Sequence, residues 1–479
     1  MSLLTKTPLQ VQGFTALCIS ILLLFGCTNP DVRSPFKKNG CTNCHEVKID
    51  KAHDIECADC HRGEPYANNM HEAHRGLIKF PAHPDTAAET CGKCHQKEVE
   101  QASKDIHYTL SNEIGKVWQA FFPDSQVPAI KALPVETFPT DTPTLISDLL
   151  RRRCLRCHLF YEGDDYSGTK RGTGCAACHM RFTENGPWDH KFYKKVPDSR
   201  CLSCHYGNFV GWDYYGRFET DYEEDYRAPL NKGRHLPRPY GLEFHEMTPD
   251  VHKQAGMTCS NCHKKGPCMV GPPASKGLAE SGCLECHALP DTPGPNKKKL
   301  SSRLGHTSQD FAKAACTSCH AIWSFRDEGR FLLRQDNPDM EDWYYLRTQG
   351  SSEIEKAVMG SGPAMMKDKI NGEIRPGMWF QGFIRRRWAP VPIGKDAKGR
   401  FRVFRPIMNL YVSYLNEQEE LLFDNMVPQK KDWPFKPGWM PYTPHTIGPA
   451  DIFRSMEVGV ELFKLHQGLA GYGGAEVKE

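Results

Sequence analysis

The residues best suited to chemistry in this chain are cysteine and histidine in a five-residue pattern, Cys-x-x-Cys-His. The pattern occurs nine times between Cys41 and His320. We call each copy a haem word and number the copies in chain order. Two thiols at this spacing can add across the two vinyl groups of one haem, and the histidine that follows is then placed to bind the iron. The sequence therefore predicts nine covalently attached haem c groups.

The predicted attachment residues are Cys41, Cys44, Cys57, Cys60, Cys91, Cys94, Cys154, Cys157, Cys175, Cys178, Cys201, Cys204, Cys259, Cys262, Cys283, Cys286, Cys316 and Cys319. The predicted proximal iron ligands are His45, His61, His95, His158, His179, His205, His263, His287 and His320. Zinc ribbons would explain the thiol pairs but not the histidine after every second cysteine. A disulfide framework fails for the same reason.

Twelve further histidines remain as candidates for the second, distal position on each iron. The stronger candidates are His53, His74, His83, His107, His190, His252, His306 and His445, and the others are His71, His235, His245 and His466. Two imidazoles per iron leave no open position, which suits electron transfer and not substrate binding. A haem without a distal histidine would be a catalytic site.

The N-terminus resembles an export signal. Residues 14–25 form an apolar run that is too short to span a bilayer. The next residues, up to Cys27, resemble the lipobox of bacterial lipoproteins, in which the cysteine carries the lipid. Because Thr28 follows Cys27, this resemblance favours an outer-membrane lipoprotein that faces the periplasm or the cell surface. The alternative is an ordinary signal peptide. Cys268 is the one unassigned thiol, and we expect an inert buried or capped residue there and not a catalytic one.

Composition favours a fold organised by cofactors. The chain has 479 residues, a mean hydropathy of −0.57 and a formal net charge of +3. The hydropathy is low for several independent apolar cores, but nine haems would supply large apolar faces. We expect a mostly α and irregular multihaem cytochrome c fold organised by stacked haems, with a small β-containing C-terminal region. Arginine runs at 151–153 and 385–387 suit either haem propionates or solvated faces, and nothing indicates nucleic acid.

Motif spacing predicts the domain organisation. The expected segments are a signal peptide (1–26), a tether (27–40), a three-haem lobe (41–121), a proline-rich linker with a short helix (122–153), a six-haem lobe (154–320) and a haem-free region (321–479). Apolar periodicity predicts helices over 97–121, 144–153 and 451–465, and a β hairpin around 395–399.

Several short sequence motifs resemble those of the multihaem c-type cytochromes of anaerobic respiration. This group includes octahaem tetrathionate reductases, hydroxylamine-oxidoreductase relatives and the surface cytochromes of metal-reducing bacteria. These motifs are CADCHRGEP with AHRGL, CGKCH with DIHYTL, RGTGCAACHM, DVHKQAGMTCSNCH and PYTPHTIG. The resemblance implies that His74, His107, His252 and His445 are axial ligands.

These features predict an electron carrier and no catalytic residue. The expected function is a lipid-anchored nine-haem cytochrome that carries electrons between a quinone-linked membrane oxidoreductase and other cytochromes or extracellular acceptors. The alternative is a multihaem reductase of a small nitrogen or sulfur oxyanion with one five-coordinate haem. Reductases of the group often mark the active haem with a lysine, whereas all nine words here end in histidine.

Overall fold

The computed structural model describes residues 40–450 except 183–188, 209–210, 221–237, 264–282, 285, 289–297, 300–311, 345, 347, 361–362, 383, 390, 407–409 and 427–438. Cys18, Cys27, Cys268, His235, His306, His466 and the predicted C-terminal helix lie outside the described residues.

The described helices are short. They are α1 (Cys57–His61), α2 (Met70–Ala73), α3 (Gly92–Ala102), α4 (Ile106–Thr109), α5 (Ser111–Phe121), α6 (Thr142–Arg152), α7 (Ala176–His179), α8 (Asp198–Leu202), α9 (Val251–Gln254), α10 (Cys259–Cys262), α11 (Cys316–His320), α12 (Met340–Tyr344) and α13 (Ser352–Met359). Single 3-10 turns lie at Gly40–Asn43, Lys51–His53, Ile130–Ala132, Cys154–Cys157 and Trp212–Tyr215. None of the described helices is long and apolar enough to cross a membrane.

Strands are concentrated after the last haem word. They are β1 (Met180–Arg181), β2 (Asp189–Phe192), β3 (Arg217–Thr220), β4 (Glu243–Glu246), β5 (His287–Ala288), β6 (Lys298–Lys299), β7 (Ser324–Glu328), β8 (Arg330–Gln335), β9 (Met365–Lys367), β10 (Ile374–Pro376), β11 (Met378–Gln381), β12 (Arg385–Ala389), β13 (Ile393–Lys395), β14 (Phe401–Pro406), β15 (Leu410–Leu415), β16 (Leu421–Met426) and β17 (Trp439–Pro441).

The largest described sheet has four strands in the order β11-β8-β15-β16. Strands β8 and β15 are parallel, and the two outer pairs are antiparallel. A three-stranded sheet has the order β13-β14-β17, and the remaining strands form two-stranded pairs. The predicted hairpin is present, since β13 and β14 are antiparallel and Gly399 turns between them with φ +75°. A positive φ suits glycine because it has no Cβ.

One apolar core joins the helices to this sheet. It includes Ile114, Val117 and Phe121 of α5, Leu145, Ile146, Leu149 and Leu150 of α6, Ile354 and Val358 of α13, and Trp379, Phe380, Leu410 and Val412 of the sheet. Helix α6 begins with a capping box between Asp141 and Thr144, and its residues from Thr144 to Arg152 are buried. The haem-free C-terminal strands therefore pack directly on the segment that precedes Cys154.

The helix predicted over 97–121 is wrong as one element. The chain instead forms α3, α4 and α5, and Leu110 between α4 and α5 has a left-handed φ of 41°. Asp105 ends the first run because its side chain accepts a hydrogen bond from the backbone N–H of His107 and so starts α4. This break places His107 in the first turn of a new helix.

Candidate haem-binding sites

Most haem words fold as a single tight turn. The backbone N–H of the closing histidine donates to the carbonyl of the first cysteine at 2.8–3.0 Å in the words that begin at Cys41, Cys91, Cys175, Cys201 and Cys259. One helical turn places residues three and four apart on the same face, so both thiols and the imidazole point to one side. None of the eighteen motif cysteines forms a disulfide in the described structure, so disulfide pairing does not compete with attachment to haem vinyl groups.

Six motif histidines lie opposite a second histidine from elsewhere in the chain. The centroid distances are 5.9 Å for His45 and His74, 6.0 Å for His61 and His190, 6.4 Å for His95 and His53, 6.2 Å for His205 and His107, 6.4 Å for His263 and His445, and 6.1 Å for His287 and His252. These pairs bring together six of the eight stronger distal candidates.

The spacing of these pairs fits an iron between the rings. A metal–imidazole bond is about 2.0–2.1 Å long, and each ring centre lies roughly 1.2 Å further out, so two ligands on one metal have centroids about 6.5 Å apart. The six pairs at 5.9–6.4 Å match this separation. A direct hydrogen bond or a ring stack between two imidazoles would bring them closer.

Hydrogen bonds at Nδ1 leave Nε2 of several histidines available to a metal. His53, His107 and His252 face carboxylate oxygens of Asp50, Asp105 and Asp250 at 3.0, 2.9 and 2.8 Å. His61, His179 and His320 donate instead to backbone carbonyls at 2.9, 3.0 and 2.9 Å. With Nδ1 carrying the proton, the lone pair is on Nε2, and the ring orientation is fixed.

Burial favours the neutral form of several proximal rings, which is the form that binds iron. Burial lowers the pKa of His61 and of His263, and it lowers the pKa of His158 to about 4. The distal candidate His445 differs from these proximal histidines. Burial lowers its pKa, but the carboxylate of Asp213 outweighs that effect, so the pKa of His445 is raised. Its Nδ1 lies 3.5 Å from Asp213 Oδ1, the longest of the carboxylate contacts described above.

Haem words from different parts of the chain touch each other. The thiol of Cys91 lies beside that of Cys175, and the thiol of Cys201 lies beside that of Cys259. Cys204 Sγ lies 3.4 Å from the carbonyl oxygen of Cys157. The third word therefore neighbours the fifth, the fourth neighbours the sixth, and the sixth neighbours the seventh.

Buried arginines beside these words keep N–H groups without a hydrogen-bond partner. Arg153 donates to Gln349 O at 2.6 Å, and Arg171 donates to Arg156 O at 2.7 Å, yet Arg153 Nη1 and Arg171 Nε are unsatisfied. Arg153 lies near Cys154, and Arg171 lies near Cys157 and Cys204. Unpaired guanidinium donors fit haem propionates. By contrast, Arg151 pairs with Asp368 at 2.6 Å and has no such donor, whereas Arg152 pairs with Asp148 but also leaves Nη2 without a hydrogen-bond partner.

His158 differs from the other motif histidines. It is fully buried, and its Nε2 lies 2.6 Å from the carbonyl oxygen of Tyr108. Nε2 cannot make this hydrogen bond and bind iron at the same time. A haem at this haem word would therefore require the ring or the carbonyl to turn. Among the described ring contacts, His158 is not paired with a second imidazole, and its ring packs edge-on against Phe160 at 4.5 Å. His83 stacks on the same Phe160 and is near enough to His158 to lower its pKa.

Three distal candidates in the described ranges have no facing motif histidine. His83 stacks on Phe160 at 5.0 Å, and its Nδ1 accepts from the backbone N–H of Asp85. That acceptor role places the proton on Nε2, opposite to the arrangement at His107. His245 pairs with Phe218 between strands β3 and β4, and His71 lies on α2.

The sequence analysis missed the aspartates behind the distal imidazoles. Asp105 and Asp250 each precede their histidine by two residues, and Asp50 precedes His53 by three. Each aspartate caps the turn that carries the histidine and also contacts its Nδ1. An Asp-x-His word could have revealed two of them.

Comparison with known proteins gives one match. A family model described as cytochrome c3 matches residues 251–328, which include the last three haem words. This match supports a multihaem c-type cytochrome with covalently bound c-type haem. It does not specify a subgroup. Neither the curated proteins nor the solved structures contain a match to this chain.

Proposed function

We propose that this chain is an electron-transfer cytochrome that carries nine covalently attached haems, one at each Cys-x-x-Cys-His word. The observation that supports it most directly is the set of six imidazole pairs at 5.9–6.4 Å. The cytochrome c3 match over the last three words agrees with this function. In this proposal, two-histidine ligation closes both axial positions, so that the iron exchanges electrons without binding a substrate.

The chain's own residues would orient each haem. The two thiols fix one edge of the macrocycle, and the facing imidazoles fix its plane. Asp105, Ile78 O and their four equivalents would hold the Nδ1–H of six of these histidines so that Nε2 is available to the metal. Arg153 and Arg171 would receive propionates near the fourth and sixth words. Contacts between words keep neighbouring haems close enough for electrons to move between them.

The proposal extends to location and partners. Acylation of Cys27 would anchor the protein to the outer membrane, facing the periplasm or the cell surface. Electrons would arrive from a quinone-linked membrane oxidoreductase or a cytochrome and leave to another cytochrome or an extracellular acceptor. Replacing Cys27 with serine tests the anchor, because the protein should then be released from the membrane fraction with its haems intact. Retention of the variant in the membrane would contradict this part of the proposal.

The decisive experiment combines haem counting with electron paramagnetic resonance of the oxidised holoprotein. A pyridine haemochrome assay and the intact mass should give nine haems per chain. The resonance spectrum should show low-spin ferric iron and no high-spin signal. Fewer haems, or a high-spin fraction near one haem in nine, would contradict the proposal as stated.

A second candidate function is a reductase of a small nitrogen or sulfur oxyanion. The observation that favours it is His158, because this buried ring, unlike those of six other motif histidines, is not paired with a second imidazole among the described ring contacts. Buried Arg153 and Arg171 nearby would favour an anion. Nitrite, hydroxylamine or tetrathionate should then perturb a high-spin signal and be turned over. If neither occurs, the electron carrier remains and the reductase is excluded.

A further inference from the structure

Six imidazoles of this chain fall into two classes according to the atom that accepts from Nδ1. In the first class, the acceptor is a carboxylate on the same turn. Asp105 Oδ1 accepts a hydrogen bond from the backbone N–H of His107 and also lies beside Nδ1 of the same histidine, at 2.9 Å in both cases. Asp250 does the same for His252 at 2.7 and 2.8 Å, and Asp50 for His53 at 3.1 and 3.0 Å.

In the second class, the acceptor is a backbone carbonyl that is distant in sequence. His61 donates to Ile78, His179 donates to Tyr193, and His320 donates to Gly448. The donor distances of 2.9–3.0 Å are nearly the same as those of the first class. The two classes therefore differ in the charge of the acceptor and not in the length of the bond.

This difference in charge acts on the iron. A carboxylate makes the ligating imidazole more basic and places a full negative charge behind it, whereas a carbonyl offers only a dipole. Ferric haem has one more positive charge than ferrous haem, so the carboxylate stabilises the oxidised form more than the reduced form. Burial strengthens the effect, because an exposed charge is screened by water.

We infer that Asp50, Asp105 and Asp250 are tuning residues that hold the haems of His53, His107 and His252 at lower reduction potentials than the carbonyl-backed haems. The inference rests on the proposed two-histidine ligation. The exposed side-chain fractions of 24% for Asp50, 7% for Asp105 and 3% for Asp250 rank the expected effects. The third haem word, which faces His53, belongs to the carboxylate class, and the fifth, which contains His179, belongs to the carbonyl class. Cys91 of the third word lies beside Cys175 of the fifth, so haems of the two classes would be neighbours there.

The test replaces each aspartate with asparagine in the full holoprotein. Asparagine still accepts the backbone hydrogen bond that begins the turn, and it converts a carboxylate acceptor into a neutral carbonyl. Redox titration followed by optical and paramagnetic resonance spectra should show one haem in nine moving to higher potential in Asp105→Asn and in Asp250→Asn. We expect about a tenfold change in the ferric-to-ferrous ratio of that haem at fixed potential, which is about 59 mV for one electron. Asp50→Asn should move its haem less.

The matched control is Asp59→Asn. Asp59 is an exposed carboxylate inside the haem word of α1 and has no hydrogen bond to an imidazole in the described structure. Its removal deletes the same charge near a haem and should leave the titration unchanged. A shift equal to that of Asp105→Asn would overturn the inference, because it would show a general charge effect.

The outcomes separate this inference from the proposed function. Unshifted titrations in both Asp105→Asn and Asp250→Asn, with full haem content and a low-spin parent spectrum, overturn the tuning role alone. A parent spectrum with high-spin iron overturns the two-histidine ligation itself. If one variant fails to incorporate its haems, the other tests the same prediction at an independent site.

Discussion

The first three haem words and the C-terminal sheet stabilise their folds in different ways. In residues 40–110, all of which are described, Ala87 and Ala102 are the only buried apolar side chains. The core between α5, α6 and the four-stranded sheet contains Leu145, Ile146, Leu149 and Trp379, all fully buried. The first region has haem words at close intervals, and the second has none of its own after His320.

The comparison shows where the chain depends on its cofactors. Burial of apolar surface is the main favourable term in folding, and two alanines supply little of it. In the proposed holoprotein, haem faces would supply that surface for residues 40–110. The sheet core supplies its own, so its stability should depend much less on haem. Each prediction below either breaks this contrast or makes it quantitative.

The largest effect should follow from loss of the second haem. In a Cys57→Ser/Cys60→Ser variant, we expect amides of residues 40–110 to lose most of their protection from hydrogen exchange, because no polypeptide core remains to hold them. Amides of α6 and β15 should keep their protection. Hydrogen exchange followed by mass spectrometry measures both regions in one experiment.

A matched control removes a haem that sits on the sheet region. Cys316→Ser/Cys319→Ser affects α11, which is fixed to β14 by hydrogen bonds from Ala315 N and Ser318 Oγ to Phe401 O at 2.9 and 2.8 Å. This variant should lose one haem but little protection around β14. Equal loss of protection in the two variants would contradict the contrast between the regions.

A buried ionic network should produce the next largest effect. Asp148 accepts from Trp379 Nε1 at 2.8 Å and lies 3.0 Å from Arg152 and 3.3 Å from Arg334. Asp148→Asn would leave buried arginine charges uncompensated, which costs about 3–5 kcal/mol. Denaturant unfolding followed by circular dichroism should show this loss in the sheet region. The exposed Asp424→Asn control should change the free energy of unfolding by less than about 0.5 kcal/mol.

Truncation of the apolar core should cost slightly less. Leu149 is fully buried between α6 and the sheet, so Leu149→Ala should lower the free energy of unfolding by about 2–5 kcal/mol. The haem spectrum should not change. Ile374→Ala, at a side chain that is 64% exposed, is the matched control and should be nearly neutral. A changed low-spin spectrum in Leu149→Ala would show that the core also positions haems.

The sequence predicted short-range features better than long-range pairs. The words that begin at Cys41 and Cys91 form the tight turns that their spacing implies, and the hairpin at Gly399 is present. Which distal histidine faces which word could not be predicted. His53 faces His95, 42 residues away by number, while His445 faces His263 across 182. Local pattern contains no information about such contacts.

The same limit applies to α6 and to the break at Leu110. Amphipathic periodicity predicted a helix near 144–153, but not that both its polar and apolar faces would be buried. The partners of the polar face lie more than 180 positions later, since Asp148 pairs with Arg334 and Arg152 donates to the carbonyl of Arg375. Periodicity through residues 97–121 also hid the break, because apolar spacing continues across Leu110 while Asp105 starts a new helix. Capping residues would have been the better guide there.

The smallest predicted effect concerns the start of α6. Asp141 accepts from the backbone N–H of Thr144 at 2.8 Å, and Asp141→Ala should cost about 1 kcal/mol at neutral pH. Hydrogen bonds from the Thr144 backbone and side chain outweigh the small effect of burial and lower the pKa of Asp141 below its usual 3.8. The ionised carboxylate therefore stabilises the fold above that value, and the stabilisation is lost as the pH falls through the lowered pKa. The free-energy difference between the parent and Asp141→Ala should narrow in acid, whereas Asp141→Asn keeps a neutral cap and should show no such titration. If denaturant unfolding gives the same free-energy difference at every pH, the charge of Asp141 does not contribute to the stability of α6 or of the sheet core against which it packs.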